Sequence, residues 1–287
     1  MSPRPGETAA GWSWDPSLYA GSAAYYATGR AAYPPELIAA LAAELGLNGS
    51  GLLVDIGCGP GSLTLPLAPH FARVIGVDAD ADMLAEAARI ARNAGVENAE
   101  WRHARAEDLT PENFRPVRTV TLAQSFHWMD RPRVAALAHG MLDDDGALVH
   151  VHATTHMGVE GDAALAHPRP PWEAIADLVR RHLGPVRRAG RGFLPTGTAG
   201  GDEETVYRAA GFLDVTRVTA PGRIIERGAD DIVAAVLSLS SSAPHLFGDG
   251  LPAFTAALRT LLAETSPGGV FAEEMRPVDA DVWRKPR

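Results

Sequence analysis

The sequence predicts an α/β protein in which helices cover both faces of one parallel sheet. Three observations lead to this prediction. Short apolar runs alternate with helical patterns from residue 34 to residue 155. The first apolar run, GLLVDI at 51–56, is continuous, as in a strand buried on both faces. A turn with glycine at alternate positions, GCGPG at 57–61, follows it directly. Strands that alternate with helices in this way form parallel βαβ units.

Each element has its own signal in the sequence. The helix predicted over 34–47 starts with prolines, which suit a first helical turn, and places four apolar residues on one stripe. SLTLPLAPHF, after the glycine turn, predicts a helix that Pro66 weakens, and a strongly periodic helix over 81–95 is closed by Gly95. The remaining predicted elements are strands over 73–78, 99–105, 118–126 and 146–155, a helix over 132–142, a strand over 211–222, helices over 230–248 and 251–264, and a final strand in FAEEMRPVDADVWRK.

Composition limits the classes of protein to consider. The chain has 287 residues with 46% apolar content, enough for one large domain with a proper core. Its formal net charge of −9 argues against a general affinity for phosphate backbones or anionic membranes. It contains no apolar run of about 18 residues and no apolar secretion signal at its start. Cys58 is the single cysteine, so we expect a cytoplasmic protein without an internal disulfide.

The glycine turn lies where such a sheet binds ligands, outside the carboxyl ends of its strands. Two ligand classes compete: a nicotinamide or flavin dinucleotide, and a nucleoside without phosphates. Dinucleotide folds use the spacing G-x-G-x-x-G and face a pyrophosphate, whereas Gly57, Gly59 and Gly61 follow G-x-G-x-G. Asp55 lies two residues before the turn, and its carboxylate would repel a pyrophosphate but suits an ammonium group. Asp78, at the end of the second strand, suits ribose hydroxyls in either class. The residues therefore favour a cationic amino-acid nucleoside.

Two segments together resemble the first two motifs of class I S-adenosylmethionine-dependent methyltransferases. They are LLVDIGCGPGSLTLPLA at 52–68 and RVIGVDADADML at 73–84. Three further segments are similar to the small-molecule branch of that family, the methyltransferase type 11-like proteins that include trans-aconitate-type methyltransferases: HARAEDL at 103–109, LAQSFHWMD at 122–130 and YYATGRAAYPPEL at 25–37. The resemblance covers roughly residues 20 to 155, and it implies S-adenosyl-L-methionine as the cofactor.

At the methionine end of that cofactor, the resemblance implies that the three turn glycines let the ligand approach the backbone closely. Asp55 would meet the ammonium group, directly or through water. Arg30 would pair with the carboxylate, which suits the guanidinium fork, and Tyr25 would belong to a lid over this end.

At the nucleoside end, Asp78 and the adjacent Ala79 would meet the ribose, and Met83 would pack on the adenine. Ala106 and Glu107 would lie along the adenine edge. Where many relatives have an aspartate two residues before the glutamate, this chain has Arg105, so Glu107 or Asp108 would have to accept from the adenine amino group. The resemblance also implies that Gln124 and Ser125, after the fourth strand, line the space between cofactor and acceptor.

Several of these residues have plainer interpretations. The three glycines alone would also suit a simple strand-to-helix turn. Asp78 could cap the helix that begins near Asp80. Tyr25, Tyr26 and Tyr33 could be ordinary core or surface aromatics.

His127 is the candidate general base, because it follows the fourth strand at the correct edge of the sheet and imidazole titrates near pH ~6.5. A structural role in the cofactor shelf is the alternative. Alternation along the fifth strand places His150 and His152 on one face, with His156 beyond them. This spacing matches no zinc site, so we expect packed, hydrogen-bonded histidines and no metal.

The acceptor should be selected by the segment that follows the fifth strand. Arg187, Arg188 and Arg191 give residues 167–201 a local positive charge. They form either a solvated helix end or a contact for an acceptor that bears a carboxylate or a phosphate. Helical insertions at the carboxyl edge of the sheet would form a cap.

The resemblance implies a single domain with a Rossmann-like, seven-stranded sheet, mostly parallel with an antiparallel last strand, with helices on both faces and a helical cap. Within residues 1–287, we expect a lid with the first helices at 1–48, a cofactor-binding core at 49–155, a cap insert at 156–210, and the last two strands at 211–287 with a helical insertion at 229–265.

The predicted function is methyl transfer to an oxygen, nitrogen or carbon atom of a small molecule, as in natural-product biosynthesis. The alternatives are a cofactor-retaining scaffold for non-methyl chemistry such as cyclisation or elimination, and a nicotinamide-dependent oxidoreductase, which the glycine spacing disfavours. We expect no nucleic-acid partner, because the chain is acidic and no N/D-P-P-Y/F/W motif follows the fourth strand. No membrane partner is expected, and the oligomeric state stays open.

Overall fold

Seven strands of the protein form one central sheet in the computed structural model, which describes residues 15–185, 188–189, 192–193 and 202–286. The strands in chain order are β1 (Leu52–Ile56), β2 (Arg73–Asp78), β3 (Ala99–His103), β4 (Val117–Ala123), β5 (Leu142–His152), β6 (Arg188–Ala189), β7 (Gly192–Phe193), β8 (Asp214–Ala220), β9 (Arg223–Gly228), β10 (Val270–Met275) and β11 (Val278–Arg284). The helices are α1 (Ala23–Gly29), α2 (Pro35–Glu44), α3 (Thr64–Leu67), α4 (Ala81–Asn93), α5 (Arg131–Met141), α6 (Trp172–Leu183), α7 (Glu203–Ala209), α8 (Ala229–Leu237), α9 (Pro244–Phe247) and α10 (Leu251–Thr265).

The central sheet has the strand order β3-β2-β1-β4-β5-β11-β8. Its first five strands pair in parallel, and β11 runs antiparallel between β5 and β8. The prediction of a mostly parallel, seven-stranded sheet with an antiparallel last strand is thereby confirmed. The order reverses next to β1, because the chain moves outward to β2 and β3 and then returns to β4. The crevice at this switch point is where sheets of this kind bind ligands.

Apolar side chains cover both faces of the sheet. One cluster joins β1 and β4 to α5 and α7 and includes Phe126, Tyr207 and Phe212. A second cluster on the opposite face contains the stripe of α2, and its Leu37 and Leu41 are fully buried. The predicted stripe on this helix therefore faces the sheet.

A third apolar cluster forms the core of the cap and lies apart from the sheet. It is built from α6, α8 and α10, with Phe254 and Phe271 at its centre. The predicted helical insertion at 229–265 contains α8, α9 and α10, whereas the proposed division of the chain into lid, core and cap segments stays a prediction.

The C-terminal segment differs from the sequence prediction. FAEEMRPVDADVWRK contains two strands instead of one, because Pro277, which lacks an amide donor for a strand ladder, lies between the end of β10 and the start of β11. Only β11 joins the central sheet, while β10 pairs antiparallel with β9 in a separate two-stranded sheet. β9, which consists of the short run RIIERG, was not predicted from the sequence.

Among the residues that the structure describes, no helix is long and apolar enough to cross a bilayer.

The basic segment of the predicted cap insert lies largely beyond the described part of the chain. Arg187 and Arg191 lie outside the described residues, and the side chain of Arg188 does too. The hypothesis that these arginines contact an acceptor therefore stays a prediction.

Candidate functional site

A cavity opens at the carboxyl ends of β1, β2 and β4, beneath the segment that leads into α1. About 1060 Å³ of space between protein atoms lies within and in front of it, a figure that includes open solvent. Its wall includes every predicted cofactor residue except Tyr25 and Gly61. These lining residues are Arg30, Asp55, Gly57, Gly59, Asp78, Ala79, Met83, Ala106, Glu107, Gln124 and Ser125.

Asp55 forms the floor of the cavity at the end of β1. The residue is fully buried, and its carboxylate accepts hydrogen bonds from the hydroxyls of Thr64 and Thr121. Burial raises the pKa of Asp55 and the two hydroxyl donors oppose that rise. No ion pair with Asp55 occurs within the described part of the chain. A cationic ligand would supply the missing counter-charge.

Asp78 lies at the end of β2, beside the glycine turn. Its carboxylate accepts hydrogen bonds from the backbone amides of Gly59, at 2.8 Å, and Asp80, at 2.9 Å. Desolvation raises the pKa of Asp78 to about 6. Asp80, and not Asp78, caps α4, because its side chain accepts from the amides of Asp82 and Met83. The plainer interpretation of Asp78 as a helix cap is therefore wrong.

The turn glycines adopt a backbone conformation that other residues rarely reach, with φ of +70° at Gly57, +54° at Gly59 and +82° at Gly61. A Cβ atom at Gly57 would approach the Cβ of Ser125 to 2.4 Å, so this glycine permits β1 and the loop after β4 to pack together. A Cβ atom at Gly59 would meet nothing within 4 Å and would project into open space. Gly59 therefore leaves room for a ligand against the backbone.

The nucleoside end of the cavity is lined by Met83, Ala106 and Glu107 together with Arg105. Glu107 is buried and already engaged, since it accepts from the amide of Asp130 at 2.8 Å and lies 3.4 Å from the Arg105 guanidinium. Asp108 is exposed and does not line the cavity. Of the two carboxylates expected to replace the missing aspartate, Glu107 is thus the one within the wall.

Gln124, directly after β4, has the unusual φ of +56° for a residue other than glycine. Such a conformation costs about 1–3 kcal/mol, and it commonly occurs where a side chain is held for function. The Gln124 amide nitrogen donates to the hydroxyls of Tyr33, at 3.2 Å, and Thr155, at 3.4 Å. Both partners line the cavity, so the three side chains form one polar cluster in its wall.

Aromatic rings from α1 and the described residues just before it line another part of the cavity. Tyr19 makes edge contacts with Tyr26 and Trp128, at centroid distances of 6.5 and 6.0 Å. The guanidinium of Arg30 lies 4.7 Å from the centroid of the Tyr26 ring. Tyr19 and Trp128 were not predicted as cavity residues, although Trp128 lies within the quoted segment LAQSFHWMD and Tyr19 lies six residues before YYATGRAAYPPEL. Nothing in their local spacing marks them.

Three predicted site residues lie outside the cavity wall. Tyr25 packs on the apolar core of the cap, because it lies one position away from Tyr26 on helix α1. Gly61 fits beneath Trp101, where a Cβ atom would approach the ring to 3.0 Å, so its role is in packing. His127 is exposed to solvent beside Trp128, outside the cavity wall. This placement favours the structural interpretation of His127 over that of a general base.

His150 and His152 are packed side chains, and His152 is also hydrogen-bonded, whereas the buried Nδ1 of His150 has no hydrogen-bond partner in the described part of the chain. His150 and His152 lie side by side on β5 with ring centroids 4.3 Å apart, and His152 lies 3.1 Å from a carboxylate oxygen of Asp281. Burial lowers the pKa of His150 to about 3. Within the described ranges, no cluster of three or more His, Cys, Asp and Glu side chains could hold a metal ion.

Comparison with known proteins identifies relatives of the segment that builds this cavity. Residues 53–146 match the family model described as a methyltransferase domain. A probable S-adenosylmethionine-dependent methyltransferase of Saccharomyces cerevisiae is 33% identical over 95 residues, which are 33% of this chain and 33% of that protein. An uncharacterized RNA methyltransferase of Thermosynechococcus vestitus is 33% identical over 104 residues, which are 36% of this chain and 23% of that protein. The chain therefore spans a third or less of the length of these two relatives.

Among solved structures, the YcgJ protein of Bacillus subtilis superimposes with a TM-score of 0.50 at 15% sequence identity. The match covers 88% of this chain and 99% of that chain. The two proteins share a fold.

Proposed function

The chain belongs to the class I S-adenosylmethionine-dependent methyltransferases of the Rossmann-like type, and from this premise we propose that it methylates a small molecule. One observation carries the proposal. Two carboxylates, those of Asp55 and Asp78, flank a glycine turn with positive φ and have no ion-pair partner among the described residues. This arrangement suits a ligand that combines a positive charge with ribose hydroxyls, and it opposes a pyrophosphate.

The residues of the cavity fit S-adenosylmethionine in a second respect. The Nε of Arg105 and the Nε1 of Trp128 are buried N–H donors in the wall, and neither has an acceptor in the described part of the chain. A buried donor without a partner costs about 1–3 kcal/mol. The cofactor offers ring nitrogens, ribose oxygens and a carboxylate, so its binding would satisfy such donors.

When bound, the cofactor supplies a methyl group on a positively charged sulfur, which an acceptor attacks in line. The protein would contribute chiefly by holding both reactants in register, and orientation alone accounts for much of the rate in such displacements. Asp55 would hold the ammonium group, Asp78 the ribose and Arg30 the carboxylate.

The polar cluster of Tyr33, Gln124 and Thr155 would orient the acceptor or the methionine moiety next to the transferred methyl group. Burial raises the pKa of Tyr33, so its hydroxyl keeps its proton at neutral pH and acts as a hydrogen-bond donor. Ser125 cannot donate to a ligand in this task, because its hydroxyl proton goes to the carbonyl of Ile56 at 2.8 Å, which leaves only its lone pairs.

A small molecule is the acceptor class that the protein favours, although several relatives are described as RNA methyltransferases. The residues on either side of α1, such as Leu18 and Tyr33, line the cavity, and the chain carries a formal net charge of −9, which repels a nucleic-acid backbone. We infer an acceptor that fits within the cavity beside the cofactor and presents an oxygen, nitrogen or carbon nucleophile.

The proposal is tested by incubating the protein and S-adenosylmethionine with carboxylated and phenolic small molecules and, separately, with RNA. Release of S-adenosylhomocysteine together with the mass gain of one methyl group on a small molecule is the expected result. Methylation of RNA, with none on any small molecule, would contradict the acceptor class. Conversion of an acceptor without release of S-adenosylhomocysteine would contradict methyl transfer itself.

A further inference from the structure

The lid helix α1 is tied to the cap helix α8 by contacts that leave no room between them. A Cβ atom at Gly29 would come within 2.3 Å of the backbone of Ala234, so only glycine allows this approach. The Ser22 hydroxyl donates to the carbonyl of Leu237 at 2.9 Å. The lid and the last turn of α8 therefore act as one packed unit.

A buried ion pair reinforces this unit from beneath. The guanidinium of Arg227 lies 3.1 Å from the carboxylate of Glu273, and both residues are buried. Arg227 also donates to the carbonyl of Gly29 at 2.7 Å and to that of Asp231 at 3.0 Å. The backbone immediately before Arg30 is thereby fixed to the first turn of α8.

The side chain of Arg30 then reaches the other end of the same helix. Its Nε donates to the hydroxyl oxygen of Ser238 at 2.8 Å, and its Nη2 donates to the Ser238 carbonyl at 3.1 Å. Ser238 ends α8 and is fully buried. Its hydroxyl proton goes to the carbonyl of Ala235 at 2.7 Å, so only its lone pairs face the guanidinium.

Two of the five guanidinium donors of Arg30 are thus held by Ser238, and the residue lines the cavity. We propose that Ser238 is a positioning residue, which fixes the Arg30 guanidinium so that its remaining donors receive the carboxylate of the cofactor. This inference rests on the proposed function. It means that the cap, which sequence reasoning assigned to the acceptor alone, also contributes to recognition of the cofactor.

The test compares the binding of two ligands that differ at the amino-acid end, where Arg30 would act. S-Adenosylhomocysteine carries the amino-acid carboxylate, whereas 5′-deoxy-5′-methylthioadenosine keeps the nucleoside and the sulfur but lacks the amino-acid group. Calorimetric titration of Ser238→Ala should show roughly five- to tenfold weaker binding of S-adenosylhomocysteine, since hydrogen bonds to charged groups are stronger than neutral ones. Binding of methylthioadenosine should stay within about twofold of the wild type.

Ser242→Ala is the matched control. Ser242 is also buried, and its hydroxyl donates to the carbonyl of Val236 in the same helix at 2.6 Å, without a contact to Arg30. The Ser242→Ala variant should leave the ratio of the affinities for S-adenosylhomocysteine and methylthioadenosine unchanged. Ser238→Thr keeps the hydroxyl and should restore most of the binding.

Arg30→Lys is the second variant, and it does not depend on the folding of Ser238→Ala. Lysine keeps the charge but lacks the planar fork that donates to the hydroxyl and the carbonyl of Ser238 at the same time. The variant should therefore show the same selective loss of affinity for S-adenosylhomocysteine. If Ser238→Ala lost affinity for both ligands equally, or lost affinity for neither, the positioning role would be overturned. If the wild type bound neither ligand, the proposed function itself would fail, which is a different outcome.

Discussion

The carboxylate of Asp78 accepts a hydrogen bond from the backbone amide of Gly59, 19 residues earlier in the chain, at 2.8 Å. This bond joins the turn after β1 to the end of β2 and holds the carboxylate at the edge of the cavity. Two backbone amides favour the charged form of Asp78, but desolvation outweighs them and raises its pKa to about 6. An acid with this pKa changes charge close to physiological pH.

Binding of S-adenosylhomocysteine should therefore depend on pH through Asp78. Ribose hydroxyls donate to the carboxylate, so the ligand favours the ionised form, and affinity is lost as pH falls through the pKa. Between pH 7 and pH 5, we expect the association constant to decrease about tenfold, as one proton is taken up. Calorimetric titrations across this range measure the effect.

Asp78→Asn is the control for this dependence. Its affinity should be lower than that of the wild type at pH 7 and nearly constant over the same range. A wild-type affinity that did not change with pH would argue that Asp78 does not contact the ligand in its charged form.

Alanine substitutions at Gly46 and Gly59 separate the effect of backbone strain on stability from the effect of a filled cavity on ligand binding. Gly46 and Gly59 have similar φ values, +57° and +54°, and a Cβ atom at either would meet no atom within 4 Å. Gly46 lies after α2, outside the cavity. Alanine should destabilise each site by about 1–2 kcal/mol, because the left-handed conformation is strained.

Only Gly59→Ala places a methyl group in the cavity, so it alone should weaken the binding of S-adenosylhomocysteine, by about tenfold or more, since overpacking costs about 1–3 kcal/mol. Thermal unfolding and calorimetry of both variants provide the comparison. Equal affinities in the two variants would show that the ligand does not approach Gly59.

The buried pair of Arg227 and Glu273 should dominate the stability of the contact between lid and cap. Glu273→Gln leaves a buried guanidinium without its counter-charge, and such losses cost about 3–5 kcal/mol. Glu273 also accepts from the amide of Gly158 and the indole of Trp172, both at 2.7 Å, so several segments depend on it. The free energy of unfolding from urea titration measures the loss.

Glu100→Gln is the matched control, because Glu100 pairs with Arg73 at the surface, with both side chains about half exposed. An exposed pair contributes about 0–1 kcal/mol. If the two substitutions had the same effect, the ion pair beneath the lid would not be a stabilising element.

His127→Ala should keep turnover with a small-molecule acceptor within about twofold of the wild type, since a general base typically contributes far more. The residue lies outside the cavity wall, and its imidazole contacts Trp128 instead. Steady-state rates with an acceptor found in the methylation screen provide the measurement. A loss of a hundredfold or more at unchanged cofactor affinity would restore the assignment of His127 as the base.

Local patterns in the sequence were sufficient for the elements that face the cofactor. The run before Gly57 is buried on both faces as β1, and Asp78 follows a second strand whose register with β1 places both strand ends at one edge. These features are encoded within a few residues, because a glycine turn and an acidic strand end have strong local signatures.

The contacts that close the cavity could not be predicted in this way. Arg227 and Glu273 meet across a separation of 46 residues, and Gly29 meets Arg227 across 198. Nothing in RIIERG or FAEEM indicates these partners, since a short strand with alternating charges is equally compatible with a solvated loop. Tyr25 was predicted to lie over the cofactor, whereas Tyr26 is the residue that lines the cavity, and this difference has a similar cause. One residue along α1 changes the facing direction by about 100°, and the sequence does not fix which side of this short helix faces inward.

A calorimetric titration of the wild-type protein with S-adenosylhomocysteine and, in parallel, with NAD provides the decisive comparison. We expect saturable binding of one S-adenosylhomocysteine per chain and no heat from NAD up to millimolar concentration. Binding of NAD, or no response to S-adenosylhomocysteine at the same concentration, would contradict a cavity built for a positively charged nucleoside.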